Sequence, residues 1–246
     1  MPADFANVIK ALRHGLIVSC QAPVDSPLHE PVVIAAIALA AINQGAIGVR
    51  IDTPAHISAV RQQVKAPIIG LWKQQLPGYE VYITPQFHHA GAIAQSGADI
   101  IAIDATFRER PGGETVASLI SRIHGELGKP VMADVDTIEA AIAAEAAGAD
   151  LIATTLYGYT AQTNHLSSPL SPLGSPSLPG FNLLTQLVQQ LNSPAICEGG
   201  ISSPQLARQA LDLGAYAVVV GTAITGIDHQ VRAYQQAISL NVRSEG

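Results

Sequence analysis

AGADLIATT, residues 147–155, holds the pattern that decides the fold. A Gly-Ala pair ends an Ala-rich helical run, an apolar strand follows at once, and a hydroxyl residue closes it. The same phrase stands at 44–50 (QGAIGVR), 96–104 (SGADIIAID) and 213–222 (LGAYAVVVGT). A second phrase alternates with it: proline, apolar strand, polar residue. It stands at 66–73 (APIIGLWK), 129–134 (KPVMAD) and 193–200 (SPAICEGG), and GLIVSCQ at 15–21 supplies a strand at the start. The eight strands are continuous apolar runs, the pattern of parallel strands buried on both faces. Between them lie helical patterns such as PVVIAAIALAAINQ, TVASLISRIHGEL, TIEAAIAAEAA and SPQLARQALDL. Eight βα units in this length predict an α/β protein of the TIM (β/α)8 barrel class, with residues 1–246 as a single domain. The doubly wound alternative lacks a G-x-G-x-x-G turn after its first strand.

One segment breaks the period. TAQTNHLSSPLSPLGSPSLPGFN, residues 160–182, is rich in Ser, Pro and Gly and has no helical spacing. It reads as a long loop on the catalytic face. We expect Tyr157 to Thr163 to cover a substrate, with Tyr159 and Thr160 as its contacts, and the distal half to be an ordinary insertion.

Composition narrows the function. Charged residues are 13% of the chain and the net charge is −6, with no cluster of Lys and Arg, so a nucleic-acid partner is not expected. Charges, Gly or Pro interrupt every apolar stretch, so no membrane span is expected. The opening MPADFANVIKALRHG lacks the apolar core of a signal peptide. Two cysteines, Cys20 and Cys197, fall on strands and read as small packing residues. Together these features predict a reduced, cytoplasmic protein. The histidines show no ligand spacing, so no metal is expected.

In such barrels the chemistry sits at the C-terminal ends of the strands. Read in order, those ends carry Gln21, Arg50, Lys73, Asp104, Asp134, Thr155, Glu198 and Gly221-Thr222. A lone rim charge has a bland explanation as half of a surface ion pair. A ring of Gln, Arg, Lys, Asp, Asp and Glu at one mouth does not. Lys73 has Asp134 and Glu198 as candidate partners. Trp72, one residue earlier, should face the helix layer. Gly199-Gly200 and Gly221-Thr222, after the seventh and eighth strands, suit a phosphate, because glycine lets backbone N–H groups approach an anion.

GLIVSCQA (15–22), GAIGVR (45–50), AIDATFRERP (102–111), ATTLYGYT (153–160), CEGGI (197–201) and VVGTAIT (219–225) resemble, in order and spacing, the N-acetylmannosamine-6-phosphate 2-epimerases. That resemblance implies a TIM barrel that interconverts N-acetylmannosamine 6-phosphate and N-acetylglucosamine 6-phosphate without a redox cofactor. It implies Lys73 as the catalytic acid/base and Glu198 as its partner. Gln21, Arg50 and Asp134 would hold the sugar, and the last two loops its phosphate. This chain differs in reading Cys197-Glu198-Gly199 for the family's usual Ala-Glu-Gly. It also has Gly226-Ile227 where many members follow Ala-Ile-Thr with Arg-Pro.

Two other readings stay open on the residues: another phosphate-binding lysine barrel of the Schiff-base aldolase or indole-glycerol-phosphate synthase type, and a non-catalytic sugar-phosphate sensor. A homodimer is likewise left open.

Overall fold

The computed structural model describes residues 3–166 and 179–242. Its eight parallel strands close into one barrel in sequence order, β1 to β8, with β8 paired back onto β1. The strands are β1 Leu16–Cys20, β2 Gly48–Asp52, β3 Ile68–Leu71 and β4 Ile100–Asp104, then β5 Val131–Asp134, β6 Leu151–Ala153, β7 Ala195–Glu198 and β8 Ala217–Val220. Each of the first seven is followed by a helix: α2 Pro31–Asn43, α3 Pro54–Arg61, α4 Phe87–Gln95, α5 Val116–Arg122, α6 Ile138–Ala146, α7 Phe181–Gln190 and α8 Pro204–Asp212. After β8 come the short α9 Thr222–Thr225 and the long α10 Ile227–Val242.

Alternation along each strand sorts the side chains into two cores. Ile17, Ile69, Ile100, Met132, Leu151, Ile196 and Ala217 fill the barrel interior. Val18, Val49, Ile51, Ile68, Ile101, Ala133, Ile152 and Val218 face outward against the helices. Trp72 belongs to the outer layer, where its ring meets the edge of His89 on α4. Cys20 and Cys197 are both buried packing residues in that layer, and burial pushes each thiol up to about 12.

One element lies outside the eight repeated units. An amphipathic helix, α1 Ala3–Ala11, caps the N-terminal end of the barrel and puts Ile9, followed by Leu12, into the interior core. Gly48 makes room for it: a Cβ there would sit 2.9 Å from Leu12 Cδ2. Burying a leucine of this kind stabilises a fold by about 1.5–3 kcal/mol.

The other end stays open, because the inward positions turn polar there. Of the long loop expected at 160–182, residues 160–166 form turns and a short 3-10 segment, and α7 begins at Phe181. Residues 167–178 lie outside the described residues.

Candidate active site

Several strands end differently from the sequence expectation: β1, β6 and β8 stop at Cys20, Ala153 and Val220, short of Gln21, Thr155 and Gly221, and β2 and β3 differ in ways that matter for the site. β2 runs on to Asp52, so Arg50 sits one inward position deeper than a strand end, with Asp52 above it. β3 stops at Leu71, so Lys73 lies beyond the strand. Lys73 is held there by an antiparallel bridge to Ile83. Gln74 N–H donates to the Tyr82 carbonyl at 2.8 Å, and Thr84 N–H to the Trp72 carbonyl at 2.9 Å. Asp52 Oδ1 accepts the Lys73 backbone N–H at 2.9 Å. The lysine's backbone is therefore fixed from two sides while its side chain stays open to the barrel mouth.

The mouth is a cleft of about 780 Å³, within the range of small-molecule sites. Gln21, Arg50, Lys73, Tyr159, Glu198, Gly199, Gly200, Gly221 and Thr222 all line it. Gly199 and Gly200 have φ of 100° and 68°, the left-handed region that favours glycine. A second hollow, around Phe5, His124 and Asp150 at the opposite end of the barrel, is less promising. Its polar groups are engaged with each other: His124 Nε2 lies 2.8 Å from Asp150, and Glu145 accepts the N–H groups of Asn192 and Ser193.

Arg50 organises the floor of the cleft. Its Nη1 and Nη2 donate to both oxygens of Asp134, at 2.9 and 2.5 Å, and Nη1 also reaches Glu198 Oε2 at 2.7 Å. Burial alone would weaken its charge, but Asp134 and Glu198 more than offset that and hold it protonated. Glu198 is placed by Thr154, whose hydroxyl donates to the Glu198 carbonyl and accepts the Glu198 N–H.

Lys73 Nζ donates to Gln21 Oε1 at 2.5 Å. Neither Asp134 nor Glu198 is its direct partner; both act on it through space. The wall around the ammonium removes water from it, which lowers its pKa from the ordinary lysine value although the side chain touches solvent in the cleft. Asp52 opposes that shift, Arg50 adds to it, and Glu198 and Asp134 oppose it. Glu198 moves the other way. Burial pushes its carboxyl up to about 7, against the pull of Arg50. The two groups thus approach each other in proton affinity, the condition for passing a proton between them near neutral pH.

Two expected substrate contacts are not brought to the cleft. Asp134 is fully buried beneath it, with both oxygens on Arg50 and a further hydrogen bond from the Thr155 hydroxyl at 2.6 Å. These three hydrogen bonds and its complete burial turn the carboxylate toward Arg50 and Thr155 in this structure. Thr160 is also buried, its hydroxyl donating to Asp136 Oδ2 at 2.7 Å and lying 2.9 Å from that of Thr163. Asp104, on the predicted ring, pairs instead with Arg108 at 2.5 Å. Conversely, Ser19, His29, Asp52, Tyr82 and His229 line the cleft without having been read from the sequence. Asp52 was within reach, since Gly48-Val49-Arg50-Ile51-Asp52 alternates without a break.

A family model described as "Putative N-acetylmannosamine-6-phosphate epimerase" matches residues 34–240. The chain is 58% identical over 238 residues to a "Putative N-acetylmannosamine-6-phosphate 2-epimerase" of Synechococcus elongatus, covering 96% of this chain and 98% of that one. It is 44% identical to a protein of the same description from Caldanaerobacter subterraneus, covering 89% of each. The solved N-acetylmannosamine-6-phosphate 2-epimerase from Clostridium perfringens superposes with a TM-score of 0.85 at 37% identity, over 93% of this chain and 95% of that one.

Proposed function

The chain belongs to this N-acetylmannosamine-6-phosphate epimerase family, and we propose that it interconverts N-acetylmannosamine 6-phosphate and N-acetylglucosamine 6-phosphate, with Lys73 and Glu198 as its acid/base pair. The supporting observation is that a lysine lowered in pKa and a glutamate raised in pKa line one cleft.

The two sugars differ only at the carbon bearing the acetamido group. In the opened sugar that carbon lies α to the aldehyde, so its proton is acidic enough for a base to take. Neutral Lys73 removes the proton, an enediolate forms, and a proton returns to the other face. Glu198, pushed up to about 7, can hold a proton for that exchange. No electrons leave the substrate, so the reaction needs no oxidant.

The remaining lining residues sort by placement. Gln21 holds the Lys73 ammonium and faces the cleft beside it, which suits it to the sugar; Tyr159 covers the mouth. Arg50 acts on Glu198 and, through Asp134, on the shape of the floor. Gly199, Gly200, Gly221 and Thr222 are the proposed phosphate end, supported by the two left-handed glycines and the closeness of β8 to β1 at Gly221, where a Cβ would come within 3.3 Å of Ser19 Cβ.

The homodimer reading is supported by an exposed apolar row on α10, Ile227, Val231, Tyr234 and Ile238. Sedimentation velocity tests it, and a monomer at all concentrations would remove it.

The deciding experiment is proton NMR of N-acetylmannosamine 6-phosphate with the protein in deuterated water. The epimer's signals should grow while the proton at carbon 2 is lost to exchange. Borohydride-trapped imine without epimer would favour the aldolase reading instead, and tight binding without exchange the sensor.

A further inference from the structure

We propose that His229 is a side-chain hydrogen-bond donor to the substrate's phosphate, brought into the cleft that the glycine turns line by the side-chain-free turn at Gly226. The inference rests on the epimerase reading and adds to it a specificity-determining residue.

His229 is the third residue of α10, and it lines the cleft together with Gly199, Gly200, Thr222 and Gly226. Its placement follows from one tight turn. Only Gly226 separates α9 from α10, and Gly226 N–H donates to the Thr222 carbonyl at 3.2 Å. Its φ is −83°, an ordinary backbone angle, so what the missing side chain contributes in this chain is space. A Cβ would stand 2.8 Å from Thr222 O and 2.9 Å from Thr222 Cα, both backbone atoms that cannot swing aside. Without that Cβ, α10 starts directly against α9 and carries its first turn over the last two loops.

That first turn is held down on both sides of the histidine. The Ser26 hydroxyl donates to Asp228 Oδ2 at 2.9 Å, and Gln230 Nε2 donates to the Thr222 carbonyl at 3.2 Å. The Asp228 carboxylate therefore faces Ser26 and leaves its neighbour unmasked.

Charge placement within the cleft then singles out His229. Arg50 is committed to Asp134 and Glu198, and Lys73 to Gln21 and the proton transfer. His29 Nδ1 lies 2.9 Å from the Ala22 carbonyl, and its ring packs edge-on against His56. Among the described residues, neither ring nitrogen of His229 is engaged in a hydrogen bond or ion pair. A phosphate dianion seated on the glycine turns would gain from an uncommitted side-chain donor lining the same cleft.

The test is steady-state kinetics and inorganic phosphate binding with His229→Ala, His229→Gln and His229→Lys, each checked for folding by thermal melting. Losing one hydrogen bond to a charged group should raise KM for N-acetylmannosamine 6-phosphate about tenfold or more in His229→Ala, with the loss in KM rather than kcat. Affinity for inorganic phosphate, followed by calorimetry, should fall in parallel, and His229→Lys should recover most of both. An unchanged KM and phosphate affinity in folded His229→Ala would overturn the inference, as would a loss confined to kcat. The phosphate titration needs no turnover. A wild-type protein that binds phosphate through His229 but does not epimerise would refute the function while leaving this site standing.

Discussion

Arg50 Nη1 stands 2.7 Å from Glu198 Oε2, so the closest charged partner of the proposed catalytic glutamate is a buried guanidinium and not Lys73. The same guanidinium grips both oxygens of Asp134. One planar fork therefore fixes two carboxylates, one of them beneath the cleft and the other facing into it. Arg50→Lys keeps the charge and loses the fork, since a single ammonium cannot make both contacts in plane. Turnover should fall by about 10²–10³, as on loss of a preorganised electrostatic group. Arg50→Ala should in addition destabilise the fold by about 3–5 kcal/mol, because it strands Asp134 as a buried charge. Turnover assays and urea denaturation of the two variants separate these effects. A lysine variant with near-normal turnover would remove Arg50 from the mechanism.

The pH dependence follows from the pair. The reactive protein carries one proton between Lys73 and Glu198, so kcat/KM should be bell-shaped, with macroscopic values that belong to both groups. The acid limb should fall near the Glu198 value of about 7, and the alkaline limb below the ordinary lysine value of 10.5. Stability runs with its own sign. A carboxyl raised from 4.5 to about 7 holds its proton more tightly in the folded state. Its contribution is fully present below about 4.5 and is lost as pH rises through about 7. Glu198→Gln should flatten that part of the stability profile. A wild-type rate with no acid limb between pH 5 and 8, a range around the value of about 7, would contradict the assignment.

Thr160 supplies a test of the relocated side chains. Its hydroxyl faces Asp136 inside the protein rather than the cleft. Thr160→Val should cost stability, about 1–3 kcal/mol for a buried acceptor left without its donor, and should leave KM close to the wild-type value. A large KM change with unchanged stability would return Thr160 to the substrate.

The barrel was legible because its signal is repeated. Each Gly-Ala or proline entry into an apolar run marks a buried parallel strand, and eight in register leave little alternative. Gln21, Lys73 and Glu198 are legible as rim positions for the same reason, since each lies at or just past its strand's end with inward parity. What escaped depended on contacts between distant segments. The hairpin that holds Lys73 joins residues 72–74 to 82–84, and nothing periodic marks either side of it. A charge resembles a strand terminus, so the sequence marks the end of β2 at Arg50, yet the ladder to β3 continues to Asp52. Asp134 has the right parity, but the sequence does not show that Arg50 grips both of its oxygens beneath the cleft. His229 lies after the last strand, outside the rim positions, and reaches the cleft only because of the turn at Gly226.

Lys73 and Glu198 as one proton-transfer unit yield the sharpest prediction. Lys73→Ala removes the proposed base, and no other cleft-lining lysine replaces it among the described residues. It should abolish epimerisation and also deuterium exchange at the acetamido-bearing carbon. Substrate affinity should stay within about tenfold, or ~1.4 kcal/mol, because Gln21 and the glycine turns remain. Glu198→Gln keeps the shape and can still meet Arg50 and Thr155, but cannot take a proton, so it should be severely impaired at normal stability near neutral pH. Residues that act as a unit are non-additive, so the double variant should be little slower than Lys73→Ala alone. If the two groups were only structural members of the rim, each variant would lose stability and keep exchange. Exchange retained by a folded Lys73→Ala protein that still binds substrate would therefore remove the pair from the mechanism, whatever the family's activity.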